Sequence, residues 1–333
     1  MKKYLFYPGC SLDKNARSYY DSLMEIRGEL GMEFEEVDDW NCCGATEYGS
    51  IHRLGSFALQ GRNLALAEKQ SNGTRTLTAP CSACYLNLAK TEHYMRKDKH
   101  LAGKVNEALD AGDLHYTPGA LDIRHLLDVI FNDVGVEEIQ RKVVRPLKGL
   151  RVAAYYGCMI VRPDLDKRYN NPEYPDVLEK MMKALGAEVV DFPLKAHCCS
   201  GHMTQISNKV AYELIRRLVH GAADYKADVI VTLCPMCQLN LDAYQPDMNR
   251  YFNTNYAVPV LYFTQLMGLA FGKDAQALGI GKEFVDARRA LAKIGVDLPP
   301  ADEMAEVPAP AAPRRRKDEG LPMPAMPGNE EVR

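Results

Sequence analysis

The sequence predicts an α/β fold in which two duplicated α/β domains, with mostly parallel sheets, are related by a pseudo-twofold axis and followed by an extended C-terminal tail. Three observations lead to this prediction. Short apolar runs alternate with segments of helical apolar spacing, which is the pattern of a parallel sheet covered by helices. The whole pattern occurs twice along the 333 residues. In both copies, cysteines stand directly after the apolar runs.

The ten cysteines form two copies of one pattern, and none is left over. Each copy has a single cysteine, then an adjacent pair, then a Cys-x-x-Cys motif. The single cysteine and the pair are separated by 31 residues in the first copy and 39 in the second, and the pair and the motif by 37 and 34 residues. This order indicates a duplicated site-building unit. The first set is Cys10, Cys42, Cys43, Cys81 and Cys84, and the second is Cys158, Cys198, Cys199, Cys234 and Cys237.

The predicted elements follow the same order in both halves. A first strand ends in Gly-Cys, and the next segment has helical spacing and closes with Leu-Gly, which is typical of a helix C-terminus. A second strand leads to the cysteine pair, a second helix follows, and a third strand runs into Cys-x-x-Cys before a last strand and helix. The matched segments are 4–10 and 152–158, 22–31 and 177–186, 32–37 and 187–192, 54–70 and 208–225, 75–79 and 228–233, and 122–131 and 262–271.

The position of the cysteines after strands predicts where they meet. In open parallel sheets, ligands collect at the carboxyl ends of the strands. The three cysteine clusters of each half follow three predicted strands. We therefore expect the five cysteines of a half to converge on one edge of one sheet and to form a single site.

Composition changes along the chain predict the domain boundaries. Residues 144–149 contain Arg-Pro-Leu-Lys-Gly, which is typical of a linker. We expect a first cysteine-rich domain over 1–145, a second over 150–275 and a helical extension over 276–298. Residues 299–333 hold eight prolines, which favours an extended tail, either a solvated linker or an arm that orders on a partner subunit.

Bulk composition excludes several classes of protein. A net charge of −3 provides no basic surface for nucleic acid. The apolar run after Lys2 and Lys3 is only four residues long, so it indicates a buried strand rather than a signal peptide. No stretch approaches the roughly 18 to 20 apolar residues of a membrane span. We expect a soluble cytoplasmic protein, in which ten cysteines are metal ligands or redox groups rather than disulfides.

Five thiolates in one site restrict the chemistry. Thiolates select zinc, copper(I) or iron–sulfur clusters. Structural zinc takes four ligands that usually come in two local pairs, which five cysteines from three loops fit poorly. A thioredoxin-like dithiol would explain Cys-x-x-Cys after a strand but leaves six cysteines unexplained. A cluster with several irons suits the adjacent pairs, although a simple [4Fe–4S] cube needs only four cysteines.

The chain resembles the B-type subunit of heterodisulfide reductase, which has two cysteine-rich (CCG) domains. The resemblance covers residues 1 to about 272. It rests on both complete cysteine sets and on four further motifs: Tyr7-Pro-Gly-Cys10, Cys42-Cys-Gly44, Arg62-Asn-Leu-Ala-Leu-Ala-Glu68 and the repeated Cys-x-x-Cys-x-Leu-Asn-Leu. It departs from the family at Ser200-Gly201, where a glycine would follow the second cysteine pair directly, and in the proline-rich tail.

The resemblance implies a catalytic subunit that reduces a mixed disulfide, such as CoM-S-S-CoB, to two thiols. It implies two noncubane [4Fe–4S] clusters, one held by the five cysteines of each half. It also implies two partner subunits, an iron–sulfur relay subunit of the C type and a flavin-bearing subunit of the A type. The alternative is a non-catalytic iron–sulfur electron-transfer subunit of a dehydrogenase or another redox complex.

Residues other than cysteine are weaker candidates. His197 and His202 flank the second cysteine pair and could donate a proton to a leaving thiolate or bond a cluster sulfur, so they are the candidate catalytic residues. Basic residues follow the first cysteine of each half and could bind an anionic substrate, although ordinary solvated charge explains them as well. These candidate substrate ligands are Lys14, Arg17, Arg162 and Arg168.

Overall fold

A computed structural model of the chain describes residues 1–45, 48–165, 169 and 171–299. Residues 1–298 form one compact unit. Within it lie two four-stranded sheets whose strands are parallel to each neighbour. The α/β fold with two parallel sheets is therefore as the sequence predicts. The tail predicted over 299–333 lies outside the described residues from residue 300 onward.

The two sheets repeat one strand order. The first has the order β2-β1-β3-β4 and the second β6-β5-β7-β8. In each, the two strands that lead to Gly-Cys and to Cys-x-x-Cys are the central pair. The strands are β1 (Lys2–Phe6), β2 (Met32–Glu36), β3 (Thr76–Ala79), β4 (Asp122–His125), β5 (Arg151–Ala154), β6 (Glu188–Val189), β7 (Val229–Thr232) and β8 (Val260–Tyr262).

The central strands have continuous apolar runs because helices cover both faces of each sheet. Every residue of β7 is buried, and so are the last three residues of β1, β3 and β5. A parallel strand that is buried on both faces needs this composition rather than alternation. The ends of these strands are therefore fixed by packing, and the cysteine loops begin from rigid positions.

Helices surround the first sheet in the order of the chain. Helix α2 shows how sequence determines their placement, because Tyr19, Ser22, Leu23 and Ile26 are buried at helical spacing and form the face that packs. The helices are α1 (Gly9–Asp13), α2 (Arg17–Ile26), α3 (Tyr48–Ile51), α4 (Arg53–Gln70), α5 (Ser82–Lys97), α6 (Lys99–Asp110) and α7 (Leu126–Val129), which a π-helical turn (Ile130–Val134) extends, and α8 (Val136–Arg141).

The second half repeats the plan with a longer connection after its first strand. Residues 159–176 contain no helix in their described part, and α9 begins only at Val177. The helices are α9 (Val177–Ala184), α10 (Asn208–Asp224), α11 (Pro235–Ala243), α12 (Gln245–Phe252), α13 (Phe263–Ala270) and α14 (Arg288–Leu291), with 3-10 turns at Gly201–Gln205 and Ala292–Ile294.

The two halves are joined by a buried contact between α2 and α13. The rings of Tyr19 and Tyr262 stack with centroids 4.3 Å apart and planes at 10°. One turn further along α2, the hydroxyl groups of Ser22 and Thr264 lie 2.7 Å apart. Because all four side chains are almost fully buried, this contact fixes the position of one sheet against the other.

No helix within the described part of the chain is both long and apolar enough to span a lipid bilayer.

Candidate metal centre

The cysteines of each half lie at the carboxyl ends of the strands of one sheet. Cys10 follows β1, and Cys158 follows β5 after a short connection. Cys81 and Cys234 occupy the N-cap positions of α5 and α11, immediately before the first helical turn. The cysteine pairs stand in the loops that leave β2 and β6. The predicted convergence on a sheet edge is what this topology provides.

Burial of the sulfur atoms changes across each site. Cys10, Cys42 and Cys198 are exposed and Cys158 is partly exposed. The remaining six are buried, with exposures between 2% and 6%. Each site therefore has an outer end, formed by the single cysteine and the first residue of the pair, and an inner end, formed by Cys-x-x-Cys.

In the first half the cysteines form a connected series. Cys10 Sγ lies 3.7 Å from Cys42 Sγ, and Cys43 Sγ lies 3.5 Å from Cys84 Sγ. Cys43 follows Cys42 directly in the chain, and Cys81 and Cys84 belong to one Cys-x-x-Cys motif. The series thus runs from the surface to the buried Cys81.

The second half repeats the series, and the two meet at the centre of the molecule. Cys158 is partly exposed and Cys198 is exposed, whereas Cys199, Cys234 and Cys237 are buried. The Tyr19 hydroxyl lies 3.2 Å from the carbonyl oxygen of Pro80 and 3.4 Å from that of Leu233, the residues directly before Cys81 and Cys234. The two inner ends are therefore adjacent, and we call this region the Cys81–Cys234 junction.

Hydrogen bonds between thiols shift the pKa values at the outer ends. The Cys10 thiol, with a further contribution from Cys43, lowers the pKa of Cys42 to about 2. In the second half the Cys158 thiol lowers the pKa of Cys198 to about 6. The partners Cys10 and Cys158 have raised pKa values for the same reason. Each outer pair thus holds one negative charge, as a thiolate ligand requires.

Equivalent tyrosines hold the two cysteine pairs. The buried Tyr7 donates from its hydroxyl group to the carbonyl oxygen of Asn41 over 2.6 Å, and Tyr155 donates to that of His197 over 2.7 Å. Both acceptors precede a cysteine pair. Each tyrosine comes from the strand end that carries the first cysteine, so it ties two cysteine loops together.

Glycines before the first cysteines allow close approach of sulfur. Gly9 and Gly157 have φ values of +72° and +70°, a region that favours glycine. A Cβ atom at Gly9 would lie 2.8 Å from Cys84 Sγ, and one at Gly157 would lie 2.9 Å from Cys237 Sγ. No side chain fits at either position without moving a cysteine.

Asparagines in the repeated Leu-Asn-Leu motif fix the loops from the other side. Asn87 Nδ2 donates to the carbonyl oxygen of Cys43 at 3.2 Å and to that of Ala45 at 2.6 Å. Its counterpart Asn240 donates to the carbonyl oxygen of Gly201 at 2.8 Å and approaches Cys199 Sγ at 3.6 Å. The second site therefore receives a side-chain donor at sulfur.

A cleft opens beside the second site. It has a volume of about 230 Å³ and lies between the loop after Cys10 and the elements that carry the second cysteine pair and motif. Its lining among the described residues mixes polar and apolar side chains and contains no Asp, Glu, Lys or Arg. The residues that matter most for chemistry are His202, Asn240, Asn15, Gln205, Thr204 and Ser11.

The structure separates the two candidate catalytic histidines. His202 lines the 230 Å³ cleft. His197 is exposed, and together with Cys198 and Arg217 it lines a smaller pocket of about 40 Å³ on the other side of the cysteine pair. The two histidines therefore face different spaces, and only His202 faces the larger one.

The candidate substrate-binding cations lie at the surface and have acidic neighbours. Lys14 Nζ is 3.6 Å from Asp13, and Arg17 Nε is 2.8 Å from Asp21. Arg162 pairs with Glu173 through two hydrogen bonds of 3.1 and 2.6 Å. Arg168 lies outside the described residues.

The donor set fits an iron–sulfur cluster better than a single ion. Each site offers five sulfur donors from three loops. Among the described residues, no three His, Cys, Asp or Glu side chains are arranged to hold one metal ion, whereas a tetrahedral zinc site needs four. Thiolates along a connected series suit a group of several irons.

The CCG cysteine-rich domain family matches the chain twice, over residues 4–89 and 152–242. The chain belongs to this family. Each matched segment contains one complete cysteine set, two of the four strands of its sheet in full and most of a third. The duplication read from the cysteine spacing is therefore a duplication of one domain type.

Relatives cover almost the whole of this CCG protein. It is 34% identical over 288 residues to the 8-methylmenaquinol:fumarate reductase membrane anchor subunit of Wolinella succinogenes, an alignment that spans 86% of this chain and 99% of the relative. It is 31% identical to the B-type subunit of the ferredoxin:CoB-CoM heterodisulfide reductase of Methanosarcina mazei, over 88% and 97% of the two chains. A protein of Archaeoglobus profundus that is named as similar to the B-type subunit of heterodisulfide reductase is 30% identical, over 83% and 93%. Membership of the family of heterodisulfide reductase B-type subunits is confirmed.

A solved structure shares the fold. The crystal structure of a hypothetical protein from Helicobacter pylori superposes with a TM-score of 0.66 at 15% identity. The superposition takes in 86% of this CCG protein but only 52% of the solved chain. This likeness supports the two-sheet architecture alone.

Several residues that shape the site were not predicted as functional. Tyr7 and Tyr155, and Asn87 and Asn240, occupy equivalent positions in the two repeats, so a comparison of the repeats could have found them. Tyr19 at the contact between the halves has no such signal, because the residue 155 positions further on, Tyr174, is 40% exposed and does not pack in the same way.

Proposed function

We propose that this chain is the catalytic subunit of a heterodisulfide reductase-type complex and reduces a mixed disulfide to two thiols. The five cysteines of each half would hold one noncubane [4Fe–4S] cluster. Such clusters, when bound, supply electrons one at a time. The Cys81–Cys234 junction carries the proposal, because disulfide reduction needs two electrons and the junction brings the inner ends of two one-electron sites together.

The chain's own residues have separate roles in this proposal. Tyr7, Tyr155, Asn87 and Asn240 hold the cysteine loops. The cleft beside the second site gives a disulfide access to a lining of amide and hydroxyl groups. His202, at the wall of that cleft, is placed to donate a proton to a departing thiolate. His197, beside the exposed Cys198, would instead affect the outer end of the site.

The proposal extends to partners and location. Electrons must reach the exposed outer cysteines from another protein, because the described residues contain no cysteine outside the two sets. An iron–sulfur relay subunit of the C type and a flavin-bearing subunit of the A type would supply them, and the complex would be cytoplasmic. Lys14, Arg17 and Arg162 surround the loops after Cys10 and Cys158 and would contact either substrate or partner.

The Wolinella relative favours a second candidate. That protein is a subunit of an 8-methylmenaquinol:fumarate reductase, and this chain aligns with 99% of it. In this second candidate, the same two sites pass electrons within a dehydrogenase or reductase complex and no disulfide is reduced. The sulfur series from one surface to the other would suit such transfer as well.

The test begins with the anaerobically purified chain. Two [4Fe–4S] clusters require about eight irons and eight sulfides per chain, and a thiol-dependent paramagnetic signal after oxidation would support substrate binding at them. Zinc in place of iron would overturn both candidates. About four irons would mean that only one repeat holds a cluster, which would contradict the paired-site proposal.

Activity then separates the two candidates. Reduction of a mixed disulfide by the purified complex with a reduced viologen dye supports the first. We expect Cys81→Ala and Cys234→Ala each to abolish disulfide reduction. If either cysteine set took no part in the reaction, the alanine variant in that set would keep wild-type activity. His202→Gln should slow disulfide reduction more than His197→Gln. A complex that oxidises a quinol and reduces fumarate, without acting on disulfides, supports the second candidate.

A further inference from the structure

Two buried side chains occupy equivalent positions beside the Cys81–Cys234 junction. His125 ends β4 and lies opposite Ala79, and Tyr262 ends β8 and lies opposite Thr232. Ala79 and Thr232 each stand two residues before the first cysteine of a Cys-x-x-Cys motif. His125 is 0% exposed and Tyr262 is 1% exposed.

Each of these side chains presents a donor without an acceptor. His125 Nδ1 accepts from the backbone N–H of Leu127 at 3.0 Å, which leaves the ring proton on Nε2. Neither His125 Nε2 nor the Tyr262 hydroxyl has a hydrogen-bond partner in the described part of the chain.

Among the described residues, backbone carbonyl oxygens near the junction do not accept hydrogen bonds from His125 Nε2 or the Tyr262 hydroxyl. The carbonyl groups of Pro80 and Leu233 lie close to the His125 ring, but without the geometry of a hydrogen bond. Tyr19 already donates to both of these oxygens, over 3.2 and 3.4 Å. Two buried donors therefore remain to be matched.

No cysteine sulfur among the described residues accepts a hydrogen bond from either donor, so the acceptor that remains is the sulfur of a bound cluster. Both side chains end strands whose neighbours, β3 and β7, lead two residues later into Cys81 and Cys234. A buried donor without an acceptor loses its water and gains nothing in return, so donors at equivalent positions in two repeats indicate a common acceptor.

We propose that His125 Nε2–H and the Tyr262 hydroxyl are hydrogen-bond donors to the sulfur of the clusters bound beside the Cys81–Cys234 junction and that they set the reduction potentials of the two sites. This inference rests on the proposal that the sites hold iron–sulfur clusters. A hydrogen bond to a cluster sulfur stabilises the additional negative charge of the reduced form and so raises the potential. Both residues act as positioning residues, because they act through sulfur and not on substrate.

The two halves use different donors for the same task. An imidazole N–H and a phenol O–H differ in strength and reach. Equivalent cysteine sets therefore need not have equal potentials. A difference between the two sites would give electrons a preferred direction across the junction.

Conservative variants test the proposal. Tyr262→Phe removes one hydroxyl and keeps the ring that stacks on Tyr19. His125→Asn removes Nε2–H but retains a side chain that caps α7, because asparagine is a favoured N-cap residue. Thr78→Val is the matched control: the Thr78 hydroxyl is also buried without a partner among the described residues, and the second repeat has Val231 at this position.

The readout is the midpoint potential of each site, from redox titrations of the iron-loaded protein followed by EPR. We expect a more negative potential at one or both sites in Tyr262→Phe and in His125→Asn, and no shift in Thr78→Val. The signal that Cys158→Ala removes identifies the second site. Unchanged potentials in both variants, with iron content equal to wild type, would overturn the proposal.

A measurement on the metal-free chain covers the case in which a variant loses iron. Without a cluster, the Tyr262 hydroxyl is an unpaired buried group, so Tyr262→Phe should leave the unfolding free energy unchanged or raised. A large loss of stability would show that the hydroxyl has a structural partner and would overturn the proposal. Wild-type protein that holds zinc or no iron would instead count against the proposed function.

Discussion

Tyr7 and Tyr155 make the same hydrogen bond in the two halves, each from a strand end to the carbonyl oxygen of the residue before a cysteine pair, over 2.6 and 2.7 Å. The duplication therefore extends beyond the ligands to the groups that hold them. Burial raises the pKa of both phenols, so both remain protonated and can donate.

Removal of either hydroxyl should loosen one cysteine pair. Tyr155→Phe removes the hydroxyl donor from the His197 carbonyl oxygen, and Tyr7→Phe leaves the Asn41 carbonyl oxygen with the bond from Asn63 Nδ2 at 3.0 Å. We expect a loss of about 1 kcal/mol in unfolding free energy for Tyr155→Phe and a smaller loss for Tyr7→Phe. We also expect faster release of iron to a chelator. Denaturant unfolding and chelator kinetics measure these effects. Tyr225→Phe, at an exposed position, is the control, and equal behaviour of all three variants would contradict the assignment.

The glycines before the first cysteines should not tolerate a methyl group. Gly9→Ala and Gly157→Ala each place a Cβ within 3.0 Å of a cysteine sulfur and also strain a backbone with positive φ. We expect a loss of about 2 to 4 kcal/mol in unfolding free energy and reduced iron content.

Gly73→Ala separates the effect of backbone strain from that of the close contact with sulfur. Gly73 has a φ of +88° but no atom within 4 Å of its Cβ position, so this variant has only the backbone strain. It should cost about 1 kcal/mol and leave iron content unchanged. Iron loss in Gly73→Ala equal to that in Gly9→Ala would mean that the sulfur contact is unimportant.

The sequence predicts the repeated sheets because the spacing of the apolar residues and the motifs that end each apolar run agree in both halves. Apolar runs that are too short for helices end in Gly-Cys or Cys-x-x-Cys in both halves, and parallel strands place such ends together. The ends of helices depend on side-chain contacts that the apolar spacing does not show. The first helix was predicted from Ser22 but begins at Arg17, since the Arg17–Asp21 ion pair and the burial of Tyr19 extend it toward the N-terminus.

Contacts between the halves could not be predicted from the spacing. The Cys81–Cys234 junction depends on how α2 packs on α13, and repeat spacing is independent of that packing. The hydrogen-bond donors beside the junction could not be predicted from the sequence for another reason. His125 and Tyr262 occupy one position of the repeat but differ in residue type, so a search for identical residues passes over them.

The contact between α2 and α13 gives a prediction about coupling between the halves. Ser22 Oγ lies 3.1 Å from the carbonyl oxygen of Tyr19 and 2.7 Å from Thr264 Oγ1. Since Ser22 has one proton, which the Tyr19 carbonyl accepts, Thr264 is the donor to Ser22. Ser22→Ala therefore leaves a buried hydroxyl unpaired and should cost about 1 to 3 kcal/mol.

Thr264→Val should cost less than Ser22→Ala, because Ser22 keeps its bond to Tyr19. In the double variant both polar groups are gone, so its loss of unfolding free energy should be smaller than the sum of the two single losses. A double-mutant cycle by chemical denaturation measures this. Additive effects would show that the two hydroxyl groups do not interact.

The segment after α13 is held by buried carboxyl groups, and this predicts a pH dependence. Asp242 accepts from the backbone N–H groups of Phe284 and Val285, each at 2.9 Å. Next to it, burial raises the pKa of Glu283 to about 7, with a further contribution from the charge of Asp242. Glu283 also accepts from Gly281 N at 2.7 Å, which opposes the shift only in part.

The sign of the effect follows from the raised pKa. The folded chain binds a proton at Glu283 more tightly than the unfolded chain, whose carboxyl has the ordinary pKa of about 4.3. The stabilisation from the protonated form is complete below that value and is lost as the pH rises to about 7. Because the side chain keeps some solvent contact, we expect a loss of roughly 1 to 2 kcal/mol.

Glu283→Gln isolates this titration from all others. The glutamine oxygen can still accept from Gly281 N, but the side chain has no charge at any pH. The stability difference between Glu283→Gln and wild type should therefore move in favour of the variant between pH 5 and pH 8, measured as unfolding free energy at about ten pH values. Glu107→Gln, at an exposed helix position, should show no such trend. A difference that stays constant with pH would mean that Glu283 titrates normally and that Asp242 alone holds the segment.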